Sequence, residues 1–560
     1  MANDVLTNNI KHLLGSLVAQ GVHNFVVSPG SRTTPIALLI AEMQATQSDV
    51  QVTIDVDERS AAFFALGMAK NTQEPVALLA TSGTATANYL PAIMEAHISH
   101  IPLVVLTTDR PAELQQIGAP QTVEQTKMYG DNVKVFVDVP LQDAHADMTD
   151  YIDYHVQNVT ALAKTTPAGP VQINVPLRKP LMPDLGLTWP TVTPRVYEAG
   201  VTHVSADMLG QVATALRADK ALILAGPDEV NWDATQFEQL AAHYQTPILA
   251  DVLSNLRPSD FAINGIDALL EADALPAALT PQMVLRFGGT PVSARVVSWL
   301  RQLNIPVVQV GMNHAGHDHT RHTQTTLAVD EMALIADLLT QPGTTDSRYL
   351  AAWQAIKQEV ATITQTPTTL SELALPAALS ALPTDSQIFI ANSMPIRDMD
   401  NYFMPKHAVR ALANRGANGI DGTVSSAFGM AMNGHPTTLL TGDLTLFHDM
   451  NGLMLAHQAQ LPLTVLVVNN QGGGIFSFLP QAAAKDYFEP MFGTPLPLAI
   501  DKIAGLYDAE YHHVADLAAL TDLLQAPAKQ LRIIEITSSR AANVTDHQAL
   551  IQQIREAVHG

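Results

Sequence analysis

The chain has 560 residues, of which 47% are hydrophobic and 15% charged, which indicates a folded protein with more than one domain. Thirty Lys and Arg against 53 Asp and Glu give a net charge of −23, which argues against nucleic acid as a partner. The absence of cysteine excludes disulfides, thiolate metal sites and a cysteine nucleophile. The apolar stretches are too short to span a bilayer, and no secretory signal is visible. We therefore expect a cytoplasmic protein without membrane insertion.

Short apolar runs alternate with helical patterns through the first third of the chain. Strands and helices are predicted in turn at 25–28, 35–43, 52–56, 59–70, 76–81 and 85–98, with a further apolar run at 103–107. This alternation predicts a doubly wound parallel sheet. A proline-rich stretch with Pro180, Pro183, Pro190 and Pro194 then has no periodicity and is typical of a linker.

Two more blocks show the same alternation. Strands are predicted at 221–224, 247–250, 284–287, 306–310, 388–390, 437–440, 463–468 and 531–536. A break at 341–348 separates the two blocks. The sequence therefore predicts an α/β protein of three consecutive doubly wound open parallel-sheet domains, at 1–185, 200–342 and 350–560. The first and third look alike in plan.

Unusual residues follow the predicted strands. In the first block these loops are Ser28-Pro29-Gly30-Ser31-Arg32, Asp57-Glu58-Arg59, Thr81-Ser82-Gly83-Thr84 and Asp109-Arg110-Pro111. Ligands of open parallel sheets gather at the carboxyl ends of the strands, where these loops lie. Each loop alone has the ordinary composition of a turn.

The third block offers a more specific arrangement. Gly442-Asp443-Leu444 ends one predicted strand, and Asn469-Asn470-Gln471-Gly472 ends the next. A strand, helix and strand fit between Asp443 and Asn470, which places both loops at neighbouring strand ends. A carboxylate, an amide oxygen and a backbone carbonyl there could hold Mg²⁺ together with diphosphate oxygens.

These motifs together resemble the MenD family, the 2-succinyl-5-enolpyruvyl-6-hydroxy-3-cyclohexene-1-carboxylate synthases, which use thiamine diphosphate. Two further stretches carry the resemblance, Asn414–Gly422 and Asn469–Phe476. The resemblance covers nearly the whole chain in order. It implies a pyrimidine-binding domain at 1–185, a central Rossmann-like domain at 200–342 and a diphosphate-binding domain at 350–560.

The resemblance also implies roles for single residues. Glu58 would hydrogen-bond N1′ of the cofactor and so assist removal of the thiazolium C2 proton. As a helix N-terminal residue it could instead merely offset the helix dipole. Ile420 would support the bent cofactor, although by pattern alone it is a core isoleucine. Asp443, Asn470 and the Gly472 carbonyl would bind Mg²⁺, with Mn²⁺ as the alternative ion. The other cofactor contacts would be Gly442, Leu444, Thr445 and Ile475.

The family reaction joins two carboxylate-bearing substrates. The succinyl-semialdehyde carbanion formed by decarboxylation of 2-oxoglutarate adds to isochorismate, a step of menaquinone biosynthesis, and the enzyme is a transferase. Arginine forks in motif loops suit such carboxylates, although surface ion pairs are the simpler use of arginine. The resemblance assigns substrate binding to Ser31, Arg32, Arg110, Gln121, Ser393, Arg397, Arg415, Ile475 and Phe476.

Some positions depart from the family pattern. Pro120 stands where some relatives carry Asn, and Ala294 stands where a substrate-facing Lys is expected, with Arg295 beside it. The motif Gly-Asp-Leu, in place of Gly-Asp-Gly, favours this family over acetolactate synthases. The alternatives are another thiamine-diphosphate 2-oxo-acid decarboxylase or carboligase, and a catalytically silent relative.

Two further expectations concern metal and assembly. Four clustered histidines, at 314, 317, 319 and 322, lack fixed helical spacing and a supporting carboxylate set, so we do not predict zinc there. If the first and third domains bind opposite ends of one cofactor, the site lies between subunits, with Glu58 from one chain and Asp443 from the other. We therefore expect a homodimer or homotetramer.

Overall fold

The computed structural model describes residues 2–228 and 230–559, with side chains from Asp4 onward. Its framework consists of three six-stranded sheets in which all strand pairs are parallel. Helices form most of the connections between the strands, as is usual for parallel crossovers. The predicted α/β class and the three open parallel sheets are confirmed.

The first sheet contains β1 to β6 in the order β2-β1-β3-β4-β6-β5. Its strands are β1 Asn24–Val27, β2 Gln51–Ile54, β3 Val76–Ala80, β4 Leu103–Asp109, β5 Phe136–Asp138 and β6 Val171–Pro176. Its helices are α1 Ala2–Ala19, α2 Thr34–Thr46, α3 Glu58–Thr72, α4 Thr84–Ala87, α5 Leu90–Ile98 and α6 Met148–Lys164. Every residue of β3 and β4 is buried, as expected of central strands covered on both faces.

The central sheet has the order β12-β11-β10-β7-β8-β9. Its strands are β7 Ala221–Ala225, β8 Ile248–Ala250, β9 Ala262–Ile263, β10 Met283–Phe287, β11 Val307–Val310 and β12 Thr325–Leu327. Its helices are α7 Ala206–Leu216, α8 Ala234–Tyr244, α9 Ile266–Glu271, α10 Ala294–Leu303 and α11 Glu331–Leu339. Side chains of Ser205, Asp233, Ser293 and Asp330 cap four of these helices, which explains where they begin.

The third sheet has the order β14-β13-β15-β16-β18-β17. Its strands are β13 Gln387–Ile390, β14 Arg410–Leu412, β15 Thr437–Gly442, β16 Leu463–Asn469, β17 Glu510–Val514 and β18 Arg532–Thr537. The helices of this part of the chain are α12 Arg348–Thr364, α13 Leu375–Ser380, α14 Met394–Tyr402, α15 Thr423–Ala431, α16 Asp443–His448, α17 Leu453–Ala459, α18 Lys485–Phe488, α19 Ile500–Leu506, α20 Leu517–Gln525 and α21 Arg540–His559.

The first and third sheets share one strand order. Numbered within its own sheet, each runs 2-1-3-4-6-5, whereas the central sheet runs 3-2-1-4-5-6. The latter is the order of dinucleotide-binding folds. The likeness of the first and third blocks that the sequence suggests therefore extends to their topology.

The described chain divides into two compact units. The first contains residues up to Ala199 together with Asn414–Asn433 and His448–Ala459, and the second contains Gly200–Ala413, Gly434–Phe447 and the residues from Gln460 onward. The three predicted domain ranges stay a prediction. Among the described helices, none combines the length and apolar character needed to cross a membrane.

Candidate functional site

Glu58 is the first residue of α3, directly after the loop that leaves β2. The preceding residue, Asp57, caps the helix, because its carboxylate accepts hydrogen bonds from the backbone N–H groups of Arg59 at 3.0 Å and Ser60 at 3.3 Å. Asp57 therefore does the work that the helix-dipole interpretation gave to Glu58. The Glu58 carboxylate is half-buried and has no hydrogen-bond partner within the described residues.

Helix α3 packs closely against α15 within the first unit. Ser60 Oγ lies 2.9 Å from Ser425 Oγ, and a Cβ on Gly67 would lie only 2.0 Å from the carbonyl oxygen of Ser426. A glycine at position 67 is what allows this approach. Gly422 lies against Phe63, and eight residues further along both segments the Met430 carbonyl accepts from Asn71 Nδ2 at 3.0 Å, so the two helices run in the same direction and begin at the same end of the pair.

The loop that enters α15 carries Ile420, which is half-buried. Its carbonyl accepts a hydrogen bond from Thr423 Oγ1 at 3.1 Å. Gly422, with φ +62°, lies against the ring of Phe63, where a Cβ would come within 1.8 Å of Cγ. Because Phe63 belongs to α3, the structure brings the Ile420 loop to the end of α3 where Glu58 lies.

Glu95, in α5, holds the same loop from the other side, and the sequence motifs do not reveal it. Its carboxylate accepts hydrogen bonds from the N–H groups of Gly416 at 3.0 Å and Ala417 at 2.6 Å, next to the half-buried Arg415. Burial alone would raise the pKa of Glu95, but Lys70, 2.7 Å away, and the two amides hold it below its usual value. Glu95 is therefore an anionic anchor for this loop.

Two predicted substrate-binding arginines lie close together in the first unit. Arg32 is 5% exposed and donates to the Leu177 carbonyl, and both its burial and the charge of Arg110 lower its pKa. Arg110 donates to Ser82 Oγ at 2.6 Å, while Gln121 Nε2 donates to the Ser82 carbonyl at 2.9 Å. Nearby carboxylates offset part of the repulsion between the arginines. A substrate carboxylate bound between the two arginines would offset the remaining repulsion.

Ser31 is exposed beside Arg32, so its hydroxyl is accessible to a ligand. Gln121 has φ +58°, a conformation that few residues other than glycine adopt. Its side chain is nevertheless held by the contact with Ser82. The structure thus brings Arg32, Arg110 and Gln121 into one cluster.

Asp443 lies in the second unit, where β15 ends and α16 begins. It is 1% exposed, and its two carboxylate oxygens accept hydrogen bonds from the N–H groups of Leu444 at 2.8 Å and Gly472 at 2.9 Å. Burial raises the pKa of Asp443 even though these amides favour the anion. A cation beside the carboxylate would stabilise the anion and so lower this pKa again.

Asn470 follows β16, which pairs with β15, so its loop is next to that of Asp443. Its Nδ2 donates to Glu372 Oε1 at 3.2 Å, while its Oδ1 is buried and has no hydrogen-bond partner in the described part of the chain. A bound cation would satisfy this oxygen, which lies in the loop next to the Asp443 carboxylate. The residues present therefore fit a Mg²⁺ ion with all-oxygen ligands.

The glycines of this half of the site have distinct functions. Gly472 has φ +145°, and a Cβ there would lie 2.1 Å from the Gly493 carbonyl, so only glycine fits. Its own carbonyl accepts from Gly474 N–H at 2.9 Å and keeps a second lone pair for a metal. A Cβ on Gly442 would meet no described atom within 4 Å, which leaves space for a ligand beside Asp443. Thr445, two residues after Asp443, is buried.

Ser393 precedes α14 with φ 75° and ψ −131°, a backbone conformation that is costly for any residue with a Cβ. Such strain is concentrated at functional sites. Its carbonyl accepts a hydrogen bond from Nη1 of the exposed Arg397 at 2.5 Å. Ile475 and Phe476 are half-buried in a short 3-10 helix, where the ring of Phe476 lies 5.6 Å from that of Phe492.

The described residues contain no group of three or more His, Cys, Asp or Glu side chains that could hold a metal ion. Arg295, which stands beside the unexpected Ala294, pairs with Asp267 at 2.8 Å and Glu271 at 3.1 Å. Its charge is therefore already matched within the central sheet's helices.

Models of thiamine-pyrophosphate enzymes match most of the chain. The N-terminal TPP binding domain matches residues 8–128, the middle domain of thiamine pyrophosphate enzymes 197–390, and the C-terminal TPP binding domain 392–536. The 2-succinyl-5-enolpyruvyl-6-hydroxy-3-cyclohexene-1-carboxylate synthase of Leuconostoc mesenteroides is 48% identical, with 99% of this chain and 100% of the relative covered. The chain belongs to this synthase family.

Other synthases of the family are similar over the same length. The Leuconostoc citreum synthase is 47% identical, with 99% of both chains covered, and the Bacillus pumilus synthase is 39% identical, with 100% of this chain and 99% of the relative covered. The predicted family is therefore confirmed, and the chain is a thiamine-diphosphate-dependent enzyme. The N-terminal match contains Glu58 and the Arg32 cluster, and the C-terminal match contains Asp443 and Asn470.

Proposed function

We propose that the enzyme decarboxylates 2-oxoglutarate and adds the succinyl-semialdehyde carbanion to isochorismate, giving 2-succinyl-5-enolpyruvyl-6-hydroxy-3-cyclohexene-1-carboxylate and CO₂ in menaquinone biosynthesis. The observation that carries the proposal is the Arg32 and Arg110 cluster in the same unit as Glu58, because both substrates bear two carboxylates. Relatives that share the full length of the chain and bear the name of this synthase support it.

Thiamine diphosphate, when bound, stabilises the carbanion left by decarboxylation. Asp443, Asn470 and the Gly472 carbonyl would hold Mg²⁺ or Mn²⁺ against the diphosphate. Gly442, Leu444, Thr445 and Ile475 would line the same half of the cofactor site. The buried, unpartnered Asn470 Oδ1 supports this assignment, because no described protein donor satisfies it.

Glu58 would share a proton with N1′ of the cofactor pyrimidine. Two features support this role: Asp57 already caps α3, and the Glu58 carboxylate has no partner among the described residues. A carboxylate at that position can hold or release one proton during the reaction. Ile420, at the same end of the helix pair, would support the cofactor.

The remaining residues would orient the substrates. Arg32, Arg110, Arg397 and Arg415 would bind carboxylates, and Ser31, Gln121 and Ser393 would add hydrogen bonds. Ile475 and Phe476 would form an apolar wall that excludes water. Ala294 removes the lysine expected from the central domain, and Arg295 is held by two carboxylates.

We also propose that the enzyme acts in the cytoplasm as a homodimer or homotetramer. Glu58 of one protomer and Asp443 of its partner would then serve one cofactor. Val56 and Ile54, which are 78% and 48% exposed just ahead of Glu58, are apolar side chains suited to burial against another protomer.

The test is CO₂ release from 2-oxoglutarate by purified protein with thiamine diphosphate and Mg²⁺, with and without isochorismate, while both substrates are followed. Equimolar consumption that depends on isochorismate is the expected result. CO₂ release at the same rate with and without isochorismate would identify a different decarboxylase or carboligase. Cofactor binding without any turnover would identify a catalytically silent relative.

A further inference from the structure

Glu372 is a buried carboxylate that no motif of the family accounts for. It begins the 3-10 turn Glu372–Ala374 ahead of α13 and is 5% exposed. Its Oε1 accepts hydrogen bonds from Asn470 Nδ2 at 3.2 Å and from Ser538 Oγ, and its Oε2 accepts from Asn543 Nδ2 at 2.9 Å. The carboxylate thus links the Asn470 loop to the start of α21.

This contact determines which way the Asn470 amide faces. A carboxylate accepts hydrogen bonds and cannot donate them, so it selects the NH₂ end of the amide. Rotation of the amide by 180° would place Oδ1 against the anionic oxygens of Glu372, where the two acceptors repel each other. The buried Oδ1 is therefore held on the opposite side, where no described donor reaches it.

We infer that Glu372 is a positioning residue that orients Asn470 Oδ1 toward the divalent cation. The inference rests on the proposed metal site and adds to it a residue that contacts a metal ligand and not the metal itself. Outer partners of this kind fix the orientation of metal ligands and raise metal affinity.

The charge of Glu372 supports this role. The described residues give it three neutral hydrogen-bond donors, and a neighbouring positive charge, on His547, is shared with Asp398 at 2.8 Å. A neutral glutamine would fill the same space at lower cost if the position served packing alone. A divalent cation on the far side of Asn470 would supply further compensating charge.

The test is the Mg²⁺ dependence of thiamine diphosphate binding, measured by titration calorimetry on the purified full-length protein, beside thermal melting without metal. Glu372→Gln is expected to weaken Mg²⁺ affinity about 10- to 100-fold while leaving the metal-free melting temperature unchanged or higher. Glu359→Gln is the matched control, because Glu359 is an exposed glutamate of α12 that has no contact with the Asn470 loop among the described residues. This control should keep wild-type affinity.

Wild-type Mg²⁺ affinity in Glu372→Gln, with a lower metal-free melting temperature, would show a purely structural residue and overturn the inference. If Glu372→Gln does not fold, Glu372→Asp keeps the charge but withdraws it by one methylene, and it should show the same loss of affinity. If the wild-type protein binds thiamine diphosphate without Mg²⁺, the inference fails with the metal site. If the wild-type protein binds thiamine diphosphate together with Mg²⁺ but does not consume isochorismate, only the proposed reaction fails. The inference about Glu372 then still rests on the binding data.

Discussion

Lys70 Nζ lies 2.7 Å from Glu95 Oε1, and the two side chains are only 6% and 3% exposed. Removing one partner of a buried ion pair leaves the other charge uncompensated, at a cost of about 3–5 kcal/mol. We therefore expect Lys70→Met to lower the free energy of unfolding by that amount, as measured by urea denaturation at pH 7. Hydrogen exchange should also become faster at the amides of Gly416 and Ala417, which donate hydrogen bonds to the Glu95 carboxylate.

The double variant Lys70→Met, Glu95→Gln should recover part of this loss, because no unpaired charge remains. Lys502→Met, which changes an exposed lysine, serves as the control and should leave stability unchanged. Normal amide protection at Gly416 and Ala417 in Lys70→Met would show that the ion pair does not hold the loop.

Glu58→Gln should abolish most catalysis without disturbing the fold. Asp57 still caps α3 in this variant, so the melting temperature is expected to stay within about 1 °C of wild type. Exchange of the cofactor C2 proton with deuterated solvent, followed by NMR after acid quench, should slow about 10²- to 10⁴-fold. Glu74→Gln, at an exposed site just beyond the same helix, is the control. Near-normal exchange in Glu58→Gln would remove Glu58 from its role.

A mixing experiment tests whether two chains build each site. Glu58→Gln and Asp443→Asn chains, each inactive alone, are co-expressed with different tags and purified as mixed assemblies. If Glu58 and Asp443 of different protomers serve one cofactor, a mixed dimer contains one site with neither substitution and regains activity. Assemblies of two differently tagged Glu58→Gln chains should stay inactive. Continued inactivity of the mixed assemblies would place both residues of a site in the same chain.

The buried pair of His547 and Asp398 predicts a pH-dependent stability. Burial alone would lower the pKa of His547, but Asp398, 2.8 Å away, raises it to about 9. Because this pKa lies above the ordinary value near 6.5, the stabilisation is complete below about pH 6.5 and is lost as pH rises through about 9. The side chains are 14% and 8% exposed, so solvent screens them little.

His547→Gln should therefore flatten the fall in unfolding free energy between pH 6.5 and 9, a contribution on the order of 3 kcal/mol. Urea denaturation at a series of pH values measures it. His145→Gln changes a 69% exposed histidine and should keep the wild-type slope. An unchanged slope in His547→Gln would contradict the assignment.

The sequence predicts the central strands well because buried parallel strands are continuous apolar runs. The predicted strand at 463–468 corresponds to β16, Leu463–Asn469. Short edge strands such as β17, with mixed burial, lack that signal. The sequence does not predict the buried β6, because Gln172 and Asn174 interrupt its apolar run. The predicted helix at 85–98 is two helices, α4 and α5, since Pro91 lies in the first turn of the second.

The candidate site shows the same division. Asp443 and Asn470 are predictable because the ends of adjacent parallel strands converge, so two local motifs imply one site. Glu95 and Glu372 have no motif of their own. Their roles come from contacts with residues 321 and 98 positions away, and such contacts exist only after the chain has folded.

The composition of the first unit determines when it can be completed during synthesis. Nearly all of α3 is buried, partly by α15, which the ribosome makes long after Ala199. At about 5–20 residues per second, the delay until Ala459 emerges is on the order of 10–50 s. During that interval the face of α3 that contains Gly67 is not yet covered by α15. Translation speed across the intervening central sheet therefore sets how long this enzyme depends on protection from aggregation.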